Sequence, residues 1–182
     1  SEAQSAAQRR TSMWLIASMV PAQRARMLPC AAPELWHVGS ADHFTDCSVL
    51  QMDVSGFTVL SAKIGSAELV DLINALFTSI DYAAECIGNV WKVELIGDCY
   101  KAVIGGPNPC EDHAYRAVVF AYTIVEIVTR IRDRLQVPIR VRVGVHTGSI
   151  TAAVIGKLMP RYLIFGRHCE VVDKLEQSAD AG

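Results

Sequence analysis

The sequence lacks a charge excess. Its formal net charge is -2 at pH 7, so no long-range field draws nucleic acid or an anionic membrane surface to it. A bound polyanion must instead be held by local backbone groups and metal ions. A long apolar run is also absent. The one N-terminal patch, Met13 to Val20, is interrupted by Ser18 and ended by Pro21, well short of the roughly 20 residues of a membrane span. It has none of the flanks of a secretion signal. The expectation is a soluble chain without membrane contact, cytoplasmic by itself or as the cytosolic part of a larger receptor or sensor. The six cysteines show no CxxC spacing. Cys86 and Cys99 fall on a predicted helix and strand, where a free thiol behaves as a small apolar group. A reduced compartment follows. Internal repeats and low-complexity stretches are missing too.

What is there is an ordinary globular composition. The chain has 182 residues, 51% hydrophobic and 20% charged, enough for one domain with a sizeable core. Residues 1–43 read as a lead-in, with a short apolar helix and then irregular chain around Pro29, Pro33 and Gly39. Residues 44–182 read as the main domain. Ser48 to Val54 predicts a buried strand running into a tight turn at Ser55-Gly56. Ser66 is the expected N-cap of a helix with Glu68 in its first turn and Leu69, Ile73, Leu76, Phe77 and Ile80 on one face. Val90 to Ile96, Gly97-Asp98 and Cys99 to Ile104 predict a hairpin with a two-residue connection. A long helix follows, with Ala114, Ala117, Ala121, Ile124, Val125, Val128, Ile131 and Leu135 as its apolar face. Ile139 to Val145 alternates as a half-buried strand. Ser149 to Ile155 and Arg161 to Phe165 predict two more strands, and His168 to Gln177 a last helix. The fold class expected is α+β, with helices packed on a mixed or antiparallel sheet.

Asp53 stands at a strand end, close to Gly56 and a predicted helix start. Unpaired N–H groups at such a start attract phosphate, but a carboxylate alongside repels it unless a cation sits between them. Mg²⁺ suits that arrangement, since it takes one or two carboxylates together with phosphate oxygens and water. Asp98, at the hairpin turn, converges on Asp53 if their strands are neighbours. On spacing alone, a helix-capping Asp53 and an ordinary turn residue at Asp98 fit equally well.

Four segments occur in order: Asp53-Val54-Ser55-Gly56-Phe57-Thr58, Lys92 through Asp98 to Tyr100, Arg142-Val143-Gly144-Val145-His146-Thr147-Gly148, and Pro160-Arg161-Tyr162 to Gly166. Together they resemble the class III adenylate and guanylate cyclases over residues 44–177, roughly three quarters of the chain. The resemblance implies a class III sandwich that dimerises, with its active site at the interface. It implies two divalent ions, Mg²⁺ or Mn²⁺, on Asp53, Asp98 and the backbone carbonyl of Val54. Gly56, Phe57 and Thr58 would hold the triphosphate. Arg142 matches an arginine that reaches the phosphates, an exposed strand arginine being the alternative. One metal would then activate the ribose 3′-hydroxyl for in-line attack on the α-phosphorus. The other would neutralise the departing pyrophosphate.

The resemblance is incomplete at the partner-facing positions. Where the family carries an asparagine and an arginine on the last helix, this chain has Glu170 and Lys174; lysine keeps the charge but not the planar fork of donors. Intact metal positions with lost transition-state positions imply the metal-bearing, α-type half of a heterodimeric guanylate cyclase. Glu94 matches the guanine-reading glutamate, with a solvated glutamate paired to Lys92 as the alternative. The second base-reading position is Leu163. GTP is the expected substrate and cyclic GMP, a signalling nucleotide, the product. The alternatives are an adenylate cyclase whose partner reads the base, or a weakly active regulatory homologue. A diguanylate cyclase is disfavoured, because Gly105-Gly106 is followed by Pro107-Asn108 and no basic track for nucleic acid exists. The family's closing strands are expected to lie beyond Gly182.

Overall fold

The computed structural model describes residues 41–155 and 161–182. The lead-in helix expected at 13–20 and Pro160 of the fourth motif lie outside the described residues. The elements are β1 (Ala41–Ser55), α1 (Phe57–Ser61), α2 (Ser66–Ile87), β2 (Val90–Ile96), β3 (Cys99–Ile104), α3 (His113–Leu135), β4 (Arg140–Ile155), β5 (Arg161–Phe165) and α4 (Arg167–Ser178). They fall into two compact units. The larger comprises Phe44–Ile150 with Gly166–Gly182; of the described residues, the smaller takes in 41–43, 151–155 and 161–165.

In the larger unit the strand order is β2-β3-β1-β4. β1 pairs antiparallel with β3, with Leu50 opposite Ala102, Gln51 opposite Lys101, Met52 opposite Tyr100 and Asp53 opposite Cys99. Directly opposed residues share a sheet face, so this register sorts the side chains. Leu50, Met52, Val54, Tyr100, Ala102 and Ile104 pack with Leu76, Ile80, Phe120 and Ile124 of α2 and α3 in one core. Val141 belongs to that core as well. Gln51, Asp53, Cys99, Lys101 and Arg142 therefore lie on the other face, and α4 covers part of it. In the smaller unit, Thr151–Ile155 of β4 pairs antiparallel with β5. The expected α+β architecture is present, and the β1–β3, β2–β3 and β4–β5 ladders are antiparallel.

Four expectations need correction. The α2 N-cap is Gly65 rather than Ser66, and Glu68 Oε2 accepts its N–H at 3.3 Å. The buried positions of α3 are His113, Ala117, Phe120, Ile124 and Val128; Ala114 and Leu135 are exposed, because the packed stripe is set by Phe120 against Tyr100. The two strands expected at 139–145 and 149–155 are one 16-residue strand. Lys92 does not pair with Glu94: its ammonium lies 2.7 Å from Asp81 on α2 and over the Tyr100 ring.

That last correction comes from an irregularity in the β2–β3 register. Lys92 is opposite Ala102, yet Glu94 is opposite Lys101, with Val93 as an extra residue. Such a bulge places two residues against one. It sends Lys92 to the helix-covered face and Glu94 to the face that carries Asp53.

Candidate active site

Asp53 and Asp98 meet because of register and turn length. Asp53 is opposite Cys99, and the two-residue turn leaves Asp98 immediately before Cys99 on the neighbouring strand. Their charges interact. Asp98 has its pKa raised, chiefly by burial and further by the negative charge of Asp53, while a backbone hydrogen bond and Arg142 pull it back. Cys99 sits at the centre of the cluster. Burial pushes its thiol up to about 11, Lys101 opposes that shift, and Asp53, Glu176 and Glu94 add to it. Hence Asp53, Glu94, Lys101 and Glu176 all act on one patch.

Arg142 is drawn into this patch from β4. Its Nη2 donates to Asp53 Oδ2 at 2.8 Å, and its Nε lies 2.9 Å from Oε1 of Glu176, whose side chain is 5% exposed. Three carboxylates thus surround one guanidinium, a surplus of negative charge that favours a cation. Next to Arg142 on the same face, Gly144 receives the backbone of α4. A Cβ there would lie 2.6 Å from Glu176 N and 2.7 Å from Val172 O. That contact seats Glu176 beside Arg142. Further along α4, Asp173 pairs with Lys101 of β3 at 3.0 Å, so two ion pairs tie this helix to the sheet.

The triphosphate-binding candidates form the turn after β1. Gly56 has a left-handed φ of 86° and caps α1, and the first helical bond runs from Leu60 N–H to Gly56 O at 2.9 Å. The amides of the first turn have no partner within the helix. Phe57 packs against the core, and Thr58 is exposed. The Val54 side chain is buried, so only its backbone can serve the site. Glu170 and Lys174 are both exposed on α4, one turn apart. Leu163 is half-buried on β5, opposite Ala153 in the smaller unit.

The donor set fits a hard divalent ion. Two carboxylates converge beside an open turn, and no group of three or more histidine, cysteine or acidic side chains that could hold a metal occurs among the described residues. A site with two carboxylates leaves coordination positions for phosphate and water, as Mg²⁺ prefers. Glu176 is the residue that sequence reasoning missed. Cys169 and Val172 mark the buried stripe of α4, and Glu176 continues it at helical spacing; a carboxylate at an apolar phase was the available signal.

The chain matches the adenylate and guanylate cyclase catalytic domain over residues 40–182. It is 33% identical over 141 residues, 77% of this chain, to a membrane guanylyl cyclase of Dictyostelium discoideum. It is 30% identical over 171 residues, 93% of this chain, to the soluble guanylate cyclase subunit alpha-1 of Bos taurus. It spans 9% of the first protein's length and 24% of the second's. Among solved structures it resembles the guanylate cyclase domain of RhGC from Catenaria anguillulae in complex with GTP. The TM-score is 0.73 and the identity 32%, over 77% of this chain and 76% of that one. Among the described residues, no helix is long and apolar enough to cross a membrane.

Proposed function

Because the chain belongs to the adenylate and guanylate cyclase catalytic domain family, we propose that it supplies the metal-bearing half of a guanylate cyclase. In this reading, residues 44–182 convert GTP to cyclic GMP and pyrophosphate at an interface with a second cyclase domain. The observation that carries it is the convergence of Asp53 and Asp98, set by the Asp53–Cys99 register, in a surplus of negative charge.

Asp53, Asp98 and the Val54 carbonyl would hold two Mg²⁺ or Mn²⁺ ions. When bound, such ions supply Lewis acidity at the ribose 3′-oxygen and neutralise the phosphates. The chain's own groups do the rest. The amides of Gly56, Phe57 and Thr58 grip the triphosphate, a helix start being a natural seat for phosphate. Arg142 turns from Asp53 toward the phosphates, and positioned cations there stabilise the charge that develops in transfer. Glu94 shares the Asp53 face, where its carboxylate can accept from the guanine N1–H and N2–H₂ edge.

The partner is a second cyclase domain of different sequence. Glu170 and Lys174 lie exposed where a partner-facing asparagine and arginine are required, and a homodimer would carry that defect twice. Cyclic GMP and cyclic AMP formation, assayed with Mn²⁺ and with candidate partner domains, tests the proposal. Asp53→Ala should abolish product in the active mixture; undiminished turnover by that variant would refute the metal assignment.

A further inference from the structure

We infer that Glu176 is a positioning residue for Arg142: it holds the guanidinium at Nε so that the Nη groups can exchange Asp53 for the incoming metal-nucleotide. This rests on the proposed function and names a residue outside its assigned set. Three observations support it. Glu176 is the one carboxylate of the cluster that is almost wholly buried, at 4% exposure, so its role is not to face solvent or ligand. It meets Nε as a buried ion pair without hydrogen-bond geometry, while Asp53 accepts a hydrogen bond from Nη2; the two acids use different edges of one planar fork. Its seat is fixed by backbone, since α4 meets β4 at Gly144 with no room for a Cβ.

The consequence is a competition for Asp53. In this structure Arg142 is the counter-ion of Asp53, at 2.8 Å. A divalent ion that takes Oδ2 of Asp53 displaces Nη2. Glu176 shares the guanidinium charge and so weakens its pull on Asp53, and it keeps Arg142 from leaving the site once displaced. Freed Nη donors are then already placed for phosphate. A buried charge left without its partner is strongly unfavourable, which makes the Nε–Glu176 contact the lasting one of the two.

The test is a double-substitution cycle on the full chain, reading Mn²⁺ affinity by electron paramagnetic resonance without nucleotide, with a thermal melt of each variant. Glu176→Gln, which preserves shape, should weaken Mn²⁺ binding about tenfold, within the coupling range of contacting residues. In an Arg142→Gln background the same change should alter affinity by less than about twofold. Arg142→Gln alone should tighten Mn²⁺ binding, since Asp53 has lost its competitor. Equal weakening in both backgrounds would mean that Glu176 acts only as a distant charge, and no weakening in either would make it merely structural; each result overturns the inference. If Arg142→Gln does not fold, Glu176→Asp decides: its shorter carboxylate keeps the charge but not the reach to Nε, so it should weaken Mn²⁺ binding as Glu176→Gln does, and native affinity in Glu176→Asp refutes the inference. Failure of the native chain to bind Mn²⁺ through Asp53 would instead overturn the proposed function, and this inference with it.

Discussion

Replacing Gly144 with alanine tests whether the sheet–helix contact at this glycine is what seats the site. The added Cβ would stand 2.6 Å from Glu176 N, 2.7 Å from Val172 O and 3.1 Å from Glu176 Cα. These are backbone atoms of a regular helix, so no rotamer change relieves the clash. Carbon makes its best contacts at about 3.5–4.0 Å, so α4 must lift by roughly 1 Å. Overpacking of this kind costs about 1–3 kcal/mol, and in a chain of this size each kcal/mol lowers Tm by about 2–4 °C. The expected loss is therefore between about 2 and 12 °C, read by circular dichroism in EDTA. The same lift moves Glu176 away from Nε, so Mn²⁺ affinity should fall along with Tm. A Gly144→Ala protein that melts within about 1 °C of the native chain and binds Mn²⁺ equally well would refute the argument, because ordinary surface changes stay within about 0.5 kcal/mol.

Three further outcomes follow from the site. Asp98 has a folded-state pKa above its unfolded value, so its contribution to stability is present at pH below the ordinary carboxylate range and is lost as pH rises through the folded value. Asp98→Asn in EDTA should accordingly melt higher than the native chain at pH 7, with the difference shrinking to nothing on acidification; an unchanged difference across that range would contradict the assignment. Glu94→Lys with Leu163→Asp should move the GTP:ATP ratio of the active assembly toward ATP, since a polar base edge left unmatched is strongly rejected; a constant ratio would show that the partner reads the base. Glu170→Asn with Lys174→Arg should raise the turnover of the chain by itself, by up to about 10²-fold, and robust turnover of the unaltered chain alone would remove the need for a heterodimer.

Local chemistry that has a single solution was legible in the sequence. Gly97-Asp98 between two apolar runs can only be a tight hairpin, so β2 and β3 emerged with their observed limits, and Asp98 with them. Less legible was whatever depends on contacts far apart in the chain. Thr147-Gly148 reads as a break, yet β4 runs straight through it, because that glycine makes room for the His168 ring rather than for a turn. Ala114 and Phe120 illustrate the same limit, since helical period gives a stripe but not its centre. Arg142 was noticed for the phosphates alone; its ties to Asp53 and Glu176 join residues that sequence distance keeps apart.

The extra residue in β2 has a wider consequence. Side chains two apart in a regular strand answer to the same surroundings, but Lys92 and Glu94 do not, because Val93 is skipped in the pairing. The strand is thus cut into two functional pieces. The piece ending at Lys92 is bound to Asp81 and the Tyr100 ring, and changes there will be felt as altered folding stability. The piece beginning at Glu94 lies on the face that carries Asp53, and under the proposed function changes there should alter substrate preference. Under the proposed function, one inserted residue would let base selectivity vary without disturbing the core next to it.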